Sequence, residues 1–181
     1  MDPVAVVVTG FWAMLPAYIP NNVAVLAGGG HPIDGGRRWR GARLLGDGKT
    51  WRGTAIGIAA GVLLAVVLNA AHPRVVTATG VILPTFSPDA MVALPTGALL
   101  GDILASFLKR RTGRRRGAAF PVVDQLDFVV LALLLTAVVD PAWFGRVFTP
   151  PVLAVVLLLT PALHVGTNAL AYLLGLKDEP W

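Results

Sequence analysis

The sequence predicts an all-α integral membrane protein of about five transmembrane helices, with two basic loops on the cytoplasmic face. Three observations predict it. The 181 residues are 55% hydrophobic, against about 45–50% for a soluble domain, and their mean hydropathy is +0.70. Several apolar stretches reach the roughly 18–20 residues needed to cross a bilayer. Between them the cations collect in two dense runs.

The first apolar segment covers about residues 3–27. Met1-Asp2-Pro3 offers no basic region ahead of it, so it is expected to remain as a helix and not to act as a cleaved signal. Pro16 and Pro20 interrupt it, and Asn21-Asn22 are costly there unless they face protein or a polar cavity. A glycine-rich stretch beginning at Gly28 then opens a polar loop, residues 28–52. The second helix is expected at about 53–70, followed by a connection from His72 to Asp89 containing Pro73, Pro84 and Pro88. The third covers about 90–108 and carries one acid in an apolar run, Asp102. A second basic loop occupies 109–121. The fourth helix is expected at 122–139, although its strictly apolar part, 128–139, is short for a crossing. The fifth covers 152–176 and contains Pro161, His164 and Asn168.

Counting cations orients the chain. Arg37, Arg38, Arg40, Arg43, Lys49 and Arg52 lie in the first loop, and Lys109, Arg110, Arg111, Arg114, Arg115 and Arg116 in the second. With Lys177 that makes thirteen on one side, against Arg74 and Arg146 on the other. The bias puts both loops in the cytoplasm and the N-terminus outside, in a multi-pass cell-membrane protein. Orientation and attraction to anionic headgroups would by themselves explain such loops. The five tryptophans mostly fall near expected helix ends, as an aromatic belt would.

The chemistry of the two loops rests on acids beside the cations. Asp102, Ser106 and Lys109 share one helix face, and Asp124 and Asp127 share another at the start of the next helix. A carboxylate in an apolar run is usually functional. Oxygen ligands of this kind suit Mg²⁺, and the adjacent cations suit a polyphosphate. The lesser alternatives are helix N-capping for Asp124 and Asp127 and an arginine salt bridge for Asp102. The absence of cysteine excludes disulfides and thiolate sites, and three widely spaced histidines (His31, His72, His164) argue against a zinc site. Gly46-Asp47-Gly48-Lys49-Thr50 invites comparison with a P-loop, but Arg43 stands where that motif needs glycine and no strand precedes it. Lys49 and Thr50 can still donate to phosphate oxygens. His164 and Asn168 share a face on the last helix, where interhelical hydrogen bonding is the ordinary role.

Taken together, Pro20-Asn21-Asn22, Gly28-Gly29-Gly30-His31-Pro32-Ile33-Asp34 and Leu45-Gly46-Asp47-Gly48-Lys49-Thr50-Trp51-Arg52-Gly53 resemble the archaeal CDP-archaeol synthase family. So do Gly101-Asp102, Ser106-Phe107-Leu108-Lys109-Arg110-Arg111, Asp124-Gln125-Leu126-Asp127 and the ending around Leu163-His164, Asn168 and Leu174-Gly175-Leu176-Lys177-Asp178. The second half is also similar to the C-terminal signature of bacterial CDP-diacylglycerol synthases, without its paired glycines and fuller acidic cluster. The resemblance implies transfer of a cytidylyl group from CTP to digeranylgeranylglyceryl phosphate, an unsaturated archaeal ether lipid phosphate, with pyrophosphate released. It implies Asp102, Asp124 and Asp127 as Mg²⁺ ligands, with Lys109 beside them in catalysis. Lys49, Arg52, Lys109 and Arg110 would hold the triphosphate, and Asn22, Ser106 and Thr50 would bond the nucleotide. Membrane lipids are expected neighbours, and no nucleic-acid partner is expected.

Two rivals stand beside that reading. A small transporter or channel would line a polar path with Asp102, His164 and Asn168, although the charges gather at one membrane face and no internal repeat is evident. A non-catalytic anchor would need the cations and not the aspartates. Within the enzyme reading, another lipid phosphate such as phosphatidate could be the acceptor.

Overall fold

The structure, a computed structural model, describes residues 2–112, 123–173 and 175. The basic run Arg114, Arg115 and Arg116, the side chains of Asp124 and Asn168, and Lys177 lie outside the described ones.

Seven helices and one small hairpin make up the described chain. Helix α1 (Pro3–Tyr18) starts where the Asp2 carboxylate accepts from the Val4 N–H at 3.2 Å, with Pro3 in the first turn. It breaks at Ile19, and α2 (Pro20–Leu26) follows. The cause is Pro20, which has no N–H for the Pro16 carbonyl one turn earlier. Strands β1 (Arg38–Trp39) and β2 (Ala42–Arg43) pair antiparallel inside the first basic loop. Their turn, Arg40-Gly41, has positive φ at both positions, as a two-residue hairpin requires.

Helix α3 (Trp51–Thr79) is capped by Thr50 and ends at Gly80 with φ 69°. It runs well beyond the expected end near residue 70, straight through Pro73. Proline removes one backbone bond, and a long helix packed on neighbours tolerates that loss. Helix α4 (Pro88–Arg111) is capped by Ser87. Then come α5 (Val123–Val139), the short α6 (Pro141–Val147) and α7 (Pro150–Leu173). Among the described residues three helical stretches are long and apolar enough to cross a membrane: Pro3–Leu26, Trp51–Thr79 and Pro88–Arg111. Helix α6 and α7, bent by 80°, make a fourth if counted together. The apolar part of α5, Gln125–Val139, is shorter, so the expected five crossings depend on it. Leu63, Val138 and Leu158 lie exposed along these helices, an apolar surface suited to lipid.

Two glycine seams set the packing. Helix α4 packs most extensively on α5, and a Cβ on Gly97 or Gly101 would stand 2.6 Å from the Ala132 Cα or 2.3 Å from the Asp127 carbonyl oxygen. On α3, Gly53, Gly57 and Gly61 lie against the carbonyls of Ala24, Pro20 and Pro16, where a Cβ would come within 2.6, 2.7 and 2.7 Å. Small residues four apart let helices approach this closely without a hydrophobic drive between them.

At the end of the bundle away from the basic loop, the extended segment before α4 is clasped by side chains. Its carbonyls at Leu83, Pro84, Thr85 and Phe86 meet His72 Nε2 (2.8 Å), Trp12 Nε1 (2.9 Å), Trp143 Nε1 (2.7 Å) and Asn69 Nδ2 (2.8 Å). Trp12 and Trp143 are therefore buried clasps and do not form an exposed belt. Nearby, the Ser87 hydroxyl and the Trp143 N–H both donate to Asp140, which holds that carboxyl below its ordinary pKa. Irregular backbone packed inside a helical bundle is tolerated where its carbonyls find donors, as these four do.

Candidate active site

The first basic loop is organised around an aspartate. Asp34 is buried and accepts on both carboxylate oxygens: Arg43 donates through Nε (3.2 Å) and Nη2 (2.7 Å), and the N–H groups of Gly36, Leu45 and Gly46 donate at 3.0–3.1 Å. The Arg43 guanidinium, more than the three backbone donors, holds the Asp34 carboxyl far below the usual carboxylate range. Asp34 in turn, and then Asp47, raise Arg43. Arg43, which breaks the P-loop pattern, thus serves as the brace of a different loop.

That brace delivers Lys49 and Thr50. The Ile33 N–H donates to the Lys49 carbonyl at 2.8 Å, and the Trp51 N–H to the His31 carbonyl at 3.3 Å. Thr50 is buried, and its hydroxyl accepts from the Gly53 N–H at 3.1 Å, starting α3. The N-terminus of that long helix, with its positive dipole end, therefore adjoins Lys49. The Lys49 ammonium is ion-paired with Asp102 of α4. Together with Asn21 from α2, these residues line a small cleft open to solvent, walled by Ala24, Val25, Leu99 and Ile103.

The other residues singled out in the sequence divide. Ser106 and Lys109 are half-buried on α4, one and two turns past Asp102. Arg110 reaches back to the loop: a Cβ on Gly46, whose φ is +98°, would meet its Nη2 at 3.2 Å. Arg52 is committed to backbone, donating to the carbonyls of Ala27 and Gly28 where α2 ends. Asn22 is exposed, whereas Asn21 enters the cleft. Asp127 is half-buried, and its Oδ1 accepts from the Phe128 N–H at 2.6 Å. Asp124 stands in the first turn of α5. His164 is half-buried on α7, a helix that packs on α1 and α5.

Arg111 locks the hairpin to the bundle. Its guanidinium lies 5.2 Å from the Trp39 ring centre and 5.4 Å from that of Phe107, and it donates to the carbonyls of Trp39, Ala42 and Arg43. Asp34, Arg43, Arg111 and Asn21 are not among the site residues expected from sequence, although the Asn21-Asn22 pair is marked there as needing protein or a polar cavity around it. A loop has no periodicity to mark its hub, and the break at Ile19 hides which asparagine faces inward.

Among the described residues no three acids or histidines gather into a ready metal cage. Helices α4 and α5 nevertheless touch at Gly101 and Asp127, which brings the helix turns that carry Asp102 and Asp127 together. Carboxylates suit an ion such as Mg²⁺, which keeps several waters and takes further ligands from phosphate.

A family model described as CarS-like, CDP-archaeol synthase, matches residues 4–181. A CDP-archaeol synthase of Halobacterium salinarum is 69% identical over 181 residues, covering all of both chains. One from Methanosarcina barkeri is 47% identical, covering 93% of this chain and all of the relative. A solved structure described as an intramembrane enzyme for archaeal membrane lipids biosynthesis superposes with a TM-score of 0.70 at 35% identity. It covers 90% of this chain and 94% of its own.

Proposed function

The chain belongs to the CDP-archaeol synthase family, membrane-embedded CTP-dependent cytidylyltransferases of archaeal lipid synthesis, and from that premise we propose how this one works. The cleft between α2, α3 and α4 takes CTP. The acceptor is the phosphate of digeranylgeranylglycerol, whose prenyl chains stay in the bilayer along the apolar helix faces. The basic end of the bundle faces the cytoplasm, where CTP is available, and the N-terminus lies outside. The observation that carries this reading is the convergence of Lys49, Thr50 and the α3 N-terminus on a cleft that also holds Asp102.

The reaction is an in-line displacement. An oxygen of the lipid phosphate attacks the α-phosphorus of CTP, the α–β bridging bond breaks, and pyrophosphate leaves with that electron pair. The nucleophile is already anionic at neutral pH, so no strong general base is needed. What the protein contributes is position and positive charge. Lys49, Lys109 and Arg110 neutralise the phosphates as charge shifts to the leaving group. Thr50 and Ser106 offer hydroxyls to the nucleotide, and Asn22 and Arg52 act from the rim, Arg52 chiefly by fixing the end of α2. Asp102, Asp124 and Asp127 would hold Mg²⁺, which supplies further charge neutralisation when bound. Asp102 would then serve both Lys49 and the ion, and its pairing with Lys49 ties the nucleotide loop to the bundle.

The test is pyrophosphate release by purified protein with Mg²⁺, a prenylated glyceryl phosphate and each nucleoside triphosphate in turn. Lipid-dependent release, strongest with CTP, is expected. No lipid-dependent release from folded protein with any nucleotide would overturn the reading.

A further inference from the structure

One residue that lines the cleft carries a polar atom without a partner. Asn21 stands at the start of α2, just past the break at Ile19, and its Oδ1 is buried without a hydrogen bond. Two other buried side-chain atoms lack partners among the described residues, Arg111 Nε and Thr149 Oγ1, and neither residue lines this cleft. A buried acceptor without a donor is unfavourable, and in a native protein it points to something that supplies one. The Asn22 side of the pair makes no such demand, because it is exposed.

Chemistry narrows what the donor can be. A triphosphate at neutral pH presents acceptors only, so it cannot serve Oδ1. The remaining donors of a nucleotide are the ribose hydroxyls and the N–H groups of the base. The walls beside Asn21 are Ala24, Val25, Leu99 and Ile103. Apolar side chains of this kind suit the flat faces of a base better than a hydroxyl-rich sugar, with one or two polar groups left to fix its identity.

We infer that Asn21 reads the base, its Oδ1 accepting from the exocyclic 4-amino group of cytosine. Uracil carries a carbonyl oxygen at that position, so two acceptors would face each other and the contact selects against UTP. The inference rests on the proposed occupation of this cleft by CTP and adds to it the residue that sets nucleotide specificity. Asn21 touches no reacting atom; its part is selection.

The experiment measures kcat/KM for lipid-dependent pyrophosphate release with CTP, with UTP and with the 4-deamino analogue of CTP. The proteins are wild type, Asn21→Leu and Asn21→Asp, each checked for its melting temperature in detergent. Wild type should prefer CTP over both other nucleotides. Asn21→Leu should lower the CTP-to-UTP ratio at least tenfold, and it should lose no further activity when the 4-amino group is also removed. Asn21→Asp keeps an acceptor at the same place and should keep the preference for CTP, with a raised KM. If Asn21→Leu does not fold, the selectivity of Asn21→Asp and of Asn21→Ser, which withdraws the acceptor, decides the matter: preference kept in the first and lost in the second supports the inference, and any other pairing overturns it. An equal fall for CTP and UTP would assign Asn21 to the shared sugar and overturn the base reading. Wild-type activity with an unchanged ratio in Asn21→Leu overturns this inference alone. Wild-type protein inactive with every nucleotide overturns the proposed function and this inference with it.

Discussion

Lys49 of the first basic loop is ion-paired with Asp102 of α4, across 53 residues of sequence. The two side chains keep 22% and 28% of their surface exposed, so the pair contributes little to stability, about 0–1 kcal/mol. Its consequence is positional: it brings a cation of the loop and a carboxylate of the bundle to one cleft. Asp102→Asn should therefore lower kcat by about 10²–10³ while moving the melting temperature by only a few degrees. The charge-swapped double variant Lys49→Asp, Asp102→Lys separates the roles. Restored turnover would show that only the pairing matters, whereas continued inactivity is expected if each group meets substrate or ion.

Asp34 gives the loop a defined acid limit. Its carboxyl is depressed in the folded protein, so its stabilisation is fully present above the unfolded carboxylate value of about 3.9 and is lost as pH falls through the lower folded value. Amide exchange at Leu45 and Gly46, whose N–H groups bond Asp34, should show pH-independent protection factors from neutrality down to about pH 4. Protection should fall below that. Asp34→Ala should remove the protection at all pH values and cost about 2 kcal/mol of local stability.

Gly101 is a spacer that cannot be enlarged. A methyl there would stand 2.3 Å from the Asp127 carbonyl oxygen, which forces α4 and α5 apart. Gly101→Ala should cost about 2–3 kcal/mol and abolish turnover, because Asp102 and Asp127 move with their helices. Gly145→Ala, where no atom lies within 4 Å, is the control, and thermal unfolding should show it neutral or slightly stabilised.

The clasp at the opposite end predicts damage to stability without damage to chemistry. Asn69 donates to the Phe86 carbonyl and accepts from the Phe86 N–H, at 2.8 and 2.7 Å. Asn69→Leu leaves both groups without a partner and should cost about 2–3 kcal/mol. The kcat of the folded fraction should remain near wild type, as measured after size-exclusion purification.

Arg111→Lys tests the hairpin lock. Lysine cannot reproduce a fork that meets three carbonyls while stacked on Trp39 and Phe107. Limited trypsin digestion should cut after Arg38 and Arg40 several times faster in the variant, with the helices left intact.

The sequence by itself determined the class of this protein and the end at which charge collects. Apolar run length and cation count are one-dimensional quantities that a bilayer reads directly. It also singled out Lys49, Thr50 and Asp102, since a lone carboxylate in an apolar run and a glycine-flanked lysine are unusual wherever they occur. Periodicity extended far enough to put Asp102, Ser106 and Lys109 on one face. It could not bring Lys49 to Asp102, because the loop between them is aimed by Asp34 and Arg43, and that pairing has no period. Nor could it carry α3 through Pro73, where packing overrides the local breaker, or choose Asn21 over Asn22, because the break at Ile19 resets the helical phase. Those decisions belong to tertiary structure: they depend on which helix surfaces can approach at glycine and which buried polar groups then find partners.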